Sequence, residues 1–275
     1  MSEEHEIILT MENILVQFPL AGGKVLNACD HVTIHVRKGQ TLGIVGESGS
    51  GKSTLAKVLT RQNEAAEGRV IFHGKDITHI KGEALRQNRR SIQMIFQDPT
   101  AAFDPKMRIR DIICEPLRNF NLIRKEDVDA RAKELLRQVD LPEDFAGRFP
   151  HNMSGGQRQR VAIARALALD PEIIICDEAT SALDVSVQKT VIELLARLQK
   201  EKQISYIFIC HDLALANSFS HEIAIMHRGK LVETIHNLHE AKDPYSQRLL
   251  QSIFTIEEGK NKVIPDIPPE EQPAV

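Results

Sequence analysis

Gly46-Glu47-Ser48-Gly49-Ser50-Gly51-Lys52-Ser53-Thr54 is the stretch that decides the fold. Before it, Thr41-Leu42-Gly43-Ile44-Val45 is apolar and reads as a short buried strand. After it, Leu55-Ala56-Lys57-Val58-Leu59 opens a helix. A strand, a glycine-rich turn and a helix in that order make a phosphate-binding loop. The glycines let the backbone curl until successive N–H groups point inward, and the positive end of the new helix adds to them. At this spacing Lys52 reaches the β- and γ-phosphates as a point charge, and the hydroxyl of Ser53 can ligate Mg²⁺. The Gly-x4-Gly-Lys-Ser/Thr pattern arises by chance in about one chain in a hundred of this size. The flanking strand and helix separate it from a plain Gly/Ser-rich surface turn.

Two further apolar runs end in chemistry-bearing residues. Glu172-Ile173-Ile174-Ile175-Cys176-Asp177-Glu178 is apolar enough to be buried on both faces, which implies a parallel sheet. In such sheets ligands lie at the carboxyl ends of the strands. Beside a triphosphate, Asp177 suits Mg²⁺, and Glu178 suits general-base work on an attacking water. The alternative is an acidic pair at a helix start. Ile204-Ser205-Tyr206-Ile207-Phe208-Ile209-Cys210 is the next such strand and ends at His211, either a structural histidine or a donor to the γ-phosphate.

Composition narrows the field. The 275 residues are 42% hydrophobic and 27% charged, as suits a soluble globular protein of one large domain or two small ones. A net charge of -3, 4% aromatics and no tryptophan offer no nucleic-acid surface. No apolar run approaches the roughly 20 residues of a membrane span. The acidic start, Met1-Ser2-Glu3-Glu4-His5-Glu6, lacks a signal-peptide pattern, so the expected location is the cytoplasm. Cys29, Cys114, Cys176 and Cys210 show no metal-ligand spacing and are expected as buried free thiols.

Around the loop the chain reads in order. Residues 7–18 have the mixed pattern of an edge strand, and 25–36 alternate as a second strand after the Gly22-Gly23 turn. Phe18 can stack on a nucleotide base or belong to the core. A basic helix is expected over 81–90 as a solvated face, and a strand over 91–96 that stops at Pro99. From there to Pro150 helical periodicity dominates over 109–117 and 125–139, punctuated by Pro105, Pro116, Pro142 and Pro150. Ser154 is an N-cap residue before a helix over 158–169, either a plain capped helix or a second anion site. A helix over 187–200, a hairpin around Arg228-Gly229 and a closing helix over 245–254 follow. Residues 255–275 carry five acids and four prolines without periodicity and are expected to be disordered.

Taken together and in this order, these motifs resemble the ATPase subunit of an ABC transporter over nearly the whole chain to Phe254. Gly46 to Thr54 is similar to the Walker A loop, and Ile173 to Asp177 to the Walker B strand. The resemblance implies an α/β, RecA-like P-loop NTPase core with an N-terminal antiparallel β region. One ATPase domain over 5–254 would carry an inserted helical subdomain at about 98–160. It implies ATP and Mg²⁺ as cofactors. Gly46, Ser48, Gly49, Ser50, Gly51, Lys52, Ser53 and Thr54 would hold ATP, with Phe18 against the adenine. Ser53, Gln97 and Asp177 would serve the metal. Glu178, His211 and Gln97 fall on the catalytic base, the switch histidine and the Q-loop glutamine. Met153-Ser154-Gly155-Gly156-Gln157 is similar to the family signature, with Met for the usual Leu, a volume-conserving change. Ser181 to Asp184 falls on the D-loop. Ser154, Gly155, Gly156, Gln157 and Asp184 would reach the ATP of a neighbouring subunit.

Within the family, Gln93 to Pro99, Asp104 to Leu117, Phe149-Pro150-His151-Asn152 and Asp243-Pro244-Tyr245-Ser246-Gln247-Arg248-Leu249-Leu250 resemble the peptide/nickel importer branch, second-ATPase type. That implies a paralogous ATPase partner or a homodimer, two membrane permease subunits and, indirectly, an extracytoplasmic solute-binding protein. Nucleic acid is not among the implied partners. The place implied is the cytoplasmic face of the inner membrane, and the cargo is peptide, nickel or another small solute. Asn152 stands where a Glu is usual. The cysteine cluster that many relatives carry after the closing helix is missing. With Leu198-Gln199 and Ile204 to Ile207, that resembles the antimicrobial-peptide-uptake subgroup. A non-transport ABC ATPase would carry coiled-coil insertions or two fused cassettes, and a simple P-loop kinase would lack the signature.

Overall fold

The computed structural model describes residues 5–257. The chain begins with two long strands, β1 (Ile7–Pro19) and β2 (Val25–Arg37), paired antiparallel. The short apolar strand β3 (Thr41–Val45) runs through the glycine-rich loop into helix α1 (Lys52–Leu59). Strands β4 (Glu67–Phe72) and β5 (Lys75–Asp76) return to the first sheet, whose order is β2-β1-β4-β5. Strand β1 is therefore internal, not the edge strand its pattern suggests. Its register with β2 slips at several points and Asn13 takes φ of +51°, so the alternation changes phase along the strand.

Helix α2 (Gly82–Ser91) follows, with no buried residue, in keeping with a solvated basic face. Strand β6 (Ile92–Ile95) is followed by three helices, α3 (Ile109–Asn119), α4 (Val128–Gln138) and α5 (Gly155–Leu167). Pro116 does not interrupt α3. It sits near the helix end, so it removes one backbone bond while Ile112, Ile113 and Leu117 stay buried. Next come β7 (Ile173–Asp177), α6 (Val185–Lys202), β8 (Ser205–Cys210) and α7 (Leu213–Phe219). Strands β9 (Glu222–His227) and β10 (Lys230–Ile235) form the expected hairpin. Helix α8 (Pro244–Glu257) closes the described part, three residues beyond the expected end. The remainder of the expected disordered tail, 258–275, lies outside the described residues.

The second sheet has the order β10-β9-β3-β8-β7-β6. All of its pairs but β10 with β9 are parallel. Because side chains alternate across a sheet, each strand feeds two cores. Ile174, Cys176, Tyr206 and Phe208 face a core shared with α3, α4, α5 and α6. Ile173, Ile175, Ile207 and Ile209 face a second core shared with α1 and the antiparallel sheet. Burial on both faces explains why β7 and β8 read as continuous apolar runs. All four cysteines are buried and free, and burial pushes the Cys176 thiol up to about 12.

Candidate functional site

Register places the chemistry. Val45 pairs with Cys210, Ile209 with Asp177, and Ile95 with Cys176. Gly46, His211, Glu178 and Gln97 therefore leave four adjacent strands at one carboxyl edge. This is where an open parallel sheet offers its crevice.

The loop between β3 and α1 is backed closely on its far side. A Cβ on Gly46 would lie 2.1 Å from the Met226 carbonyl oxygen, and one on Gly51 2.2 Å from that of Ala28. Gly51 also takes φ of +103°. Neither position admits a side chain. The Lys52 ammonium is buried and donates to the carbonyls of Gly46 at 2.7 Å and Glu47 at 2.8 Å, and to Ser50 Oγ at 3.4 Å. Burial pushes its pKa down, while the charge of Glu178, then those of other neighbours including Asp177, push it back up. Glu47, Ser48 and Gly49 form the exposed crest, Ser50 is buried, and Ser53 and Thr54 are half-buried in the first turn of α1.

Ser53 Oγ donates to Asp177 Oδ1 at 2.8 Å, joining the loop to the end of β7. Burial raises the pKa of Asp177, the Ser53 hydroxyl opposes that, and the Glu178 charge adds to the rise. Glu178, the next residue, turns out of the strand at φ of +48° while its N–H donates to Ile209 O at 3.0 Å. A non-glycine residue held there is strained, a feature that clusters at working sites. Ser181 Oγ donates to the Glu178 carbonyl at 2.9 Å and accepts from Gln97 Nε2 at 3.4 Å. Gln97 is thereby tied to the turn that carries Glu178. His211 is exposed, and the chain beyond it is fixed by Asp212, which accepts from Leu215 N–H at 3.0 Å as the cap of α7.

Phe18 is 40% exposed and pairs with Leu26. Two residues on, Ala28 touches the glycine-rich loop, so Phe18 sits on the strand pair that backs the loop, outside both cores. Ser154 caps α5: its Oγ accepts from Gln157 N–H at 3.3 Å, and its own N–H donates to Gln157 Oε1 at 3.0 Å. The Gln157 half of this capping box was not foreseen from sequence. Gly155 and Gly156 open the first turn of α5, whose N–H groups have no intrahelical acceptors. They lie against Leu183 and Val187, and a Cβ on Gly156 would come within 2.4 Å of Val187 Cγ1. Met153 is buried in the helical core, as a substitute for leucine should be. Asp184 caps α6 by accepting from Val187 N–H at 3.0 Å and Ser186 Oγ at 2.7 Å, and the Ser186 bond first of all holds its carboxyl below the usual range.

Some contributors to the loop carry no signal in sequence. Gly229 N–H donates to Ser50 O at 3.0 Å, and Tyr245 Oη accepts from Glu47 N–H at 3.3 Å. Both come from distant stretches, and nothing in their local sequence ties them to the loop.

The sequence pattern of the ABC transporter family matches residues 29–181. The oligopeptide transport ATP-binding protein AppF of Bacillus subtilis is 44% identical over 259 residues, covering 90% of this chain and 78% of AppF. The glutathione import ATP-binding protein GsiA of Escherichia coli is 42% identical, covering 94% of this chain and 43% of GsiA. Among solved structures, the dimeric ATP-binding cassette MJ0796 in a post-hydrolysis state bound to ADP and Pi superposes with a TM-score of 0.74. Its identity is 29%, with 83% of this chain and 98% of that one covered. On these matches and this geometry, the chain belongs to the ABC transporter ATP-binding family.

Proposed function

We propose that this chain is the ATP-hydrolysing subunit of an importer that takes up peptides, working at the cytoplasmic face of the inner membrane beside two permease subunits. The observation that carries the reading is the 2.8 Å bond between Ser53 and Asp177, which joins the end of a phosphate loop to the end of a buried strand. A hydroxyl and a carboxylate oxygen there suit a hard divalent cation such as Mg²⁺. When bound, that cation neutralises charge developing on the β- and γ-oxygens. The chain's own groups do the rest. Backbone amides and Lys52 orient the triphosphate, Phe18 holds the adenine, Glu178 takes the proton of the attacking water, and Gln97 and His211 position that water and the γ-phosphate. The N–H groups of Gly155 and Gly156 open towards no acceptor of their own helix. They suit the ATP of a facing subunit, a paralogue or a second copy.

A groove of 610 Å³ lies at the far end of α3, lined among others by Arg90, Leu117, Leu122, Ile123, Arg131 and Leu169. Leu122 is 45% exposed there. Helix α3 thus leads from the segment after Gln97 to a groove of mixed apolar and charged lining, where Arg124 pairs with Asp127 and Arg131 with Asp170, and we assign that groove to a permease segment. Among the described residues no helix is long and apolar enough to cross a membrane.

The peptide cargo follows from the names of the relatives, peptide and glutathione importers. The test is purification with the permeases that accompany the chain, reconstitution in lipid, and ATPase assay with the loaded solute-binding protein. Stimulation by peptides, antimicrobial peptides included, is expected. Stimulation by nickel and not by peptide overturns the cargo, and co-purification without any permease overturns the transport role.

A further inference from the structure

Helix α8 lies almost two hundred residues from the phosphate loop in sequence, yet Tyr245 in its first turn reaches that loop. The Tyr245 side chain is buried, its ring lies 3.9 Å from the His227 ring, and its own N–H is held by Asp243 Oδ1 at 2.7 Å. Its hydroxyl accepts from the Glu47 N–H at 3.3 Å. The carbonyl of the same residue is held from the other side, by Lys52 Nζ at 2.8 Å and Ser50 N–H at 3.2 Å. Lys52 cannot keep all of these acceptors and also meet a phosphate. Its three donors are taken by Gly46, Glu47 and Ser50, so meeting a phosphate costs it at least one of them, whereas the Tyr245 contact on Glu47 does not depend on Lys52.

We propose that Tyr245 is a positioning residue for the phosphate loop, so that the C-terminal helix α8 forms part of the nucleotide site. The proposal rests on the reading of residues 46–54 as a phosphate cradle. Tyr245 touches no nucleotide itself. It fixes the peptide plane that enters the loop, and so preorganises the amides that follow. His227 holds the ring in place from the end of β9, the strand that also backs Gly46. Any movement of α8 is thereby felt at the loop.

The experiment is calorimetric titration of the full chain with Mg-ATP. Tyr245→Phe keeps the ring and its stacking and loses only the acceptor. Glu47→Pro removes the donor, because proline has no N–H. Each single change is expected to weaken Kd by about two- to tenfold, the worth of one net hydrogen bond. The double variant is expected to bind no more weakly than Glu47→Pro alone. The melting temperature of ligand-free Tyr245→Phe is the control for a merely structural role, and a change of no more than a few degrees is expected. Wild-type affinity in Tyr245→Phe overturns the proposal, and so do losses that add in full. If Tyr245→Phe does not fold, unchanged affinity in Glu47→Pro overturns it. A wild-type chain without affinity for Mg-ATP overturns the reading of the loop as well, which distinguishes the two failures.

Discussion

Ser53 and Asp177 stand 124 positions apart and share a hydrogen bond of 2.8 Å at the mouth of the glycine-rich loop. Burial there works against the Asp177 carboxylate and raises its pKa. A carboxylate whose folded pKa exceeds its unfolded value destabilises the fold once it ionises. Near neutral pH the ligand-free fold therefore bears a cost for keeping this charge in place. Asp177→Asn removes the charge and keeps an acceptor for Ser53. The variant is expected to melt higher than the parent at neutral pH, where each kcal/mol moves the transition by about 2–4 °C for a chain of this size. As pH falls through the raised pKa, Asp177 takes up its proton and the gap closes. Turnover is expected to be lost in the same variant. A melting temperature equal to the parent's at pH 7 would remove the electrostatic cost.

Glu178 follows directly, strained at φ of +48°. Glu178→Gln keeps the size and removes the base. The expected result is ATP that stays bound and uncleaved, with turnover down by about 10²–10⁴-fold, the usual contribution of a general base. Retention of radiolabelled ATP through gel filtration, together with single-turnover rates, measures both. Normal turnover would take the base role from Glu178.

Much of this site was legible because its parts are local. The loop from Gly46 to Thr54, the strand before Asp177 and the cap at Ser154 each declare themselves within about ten residues of sequence. The cap shows only half of itself in sequence, since the return bond to Gln157 depends on a side-chain rotamer. Periodicity puts Tyr245 in a closing helix, but its bond to Glu47 spans 198 positions and leaves no periodic trace. Strand β1 reads as an edge strand for a related reason. Its bulges turn alternation into a mixture, and sheet order is a long-range property that a strand's own pattern does not encode.

The signature glycines make a packing prediction. A Cβ on Gly156 would sit 2.4 Å from Val187 Cγ1, and a β-branched valine has little rotamer freedom with which to yield. Gly156→Ala is therefore expected to cost about 1–3 kcal/mol by overpacking, measured by urea unfolding. Val187→Ala in the same chain opens the space and is expected to restore most of that loss. Non-additivity of this size is what contacting residues give. Strict additivity would mean that α5 and α6 do not meet here.

Thr41 N–H donates to His221 Nδ1 at 3.1 Å, tying the first residue of β3 to the turn before β9. That bond needs the neutral ring, and burial holds the His221 pKa below the ordinary histidine value of about 6.5. A base with a depressed folded pKa takes up its proton more readily when unfolded. Its contribution to stability is intact above about pH 6.5 and is lost as pH falls from there through the folded pKa. Three other groups face the same region. The Nδ1 of His236 is 3.4 Å from the His221 carbonyl oxygen, and the backbone N–H of His236 donates to the Glu240 carboxylate at 2.8 Å. His5, when charged, pushes the His221 pKa further down. His221→Asn offers Oδ1 as a replacement acceptor with no proton to gain. Melting temperatures from pH 8 to pH 5 are expected to fall less steeply for the variant than for the parent. Parallel curves would place the acid sensitivity of the fold in another group.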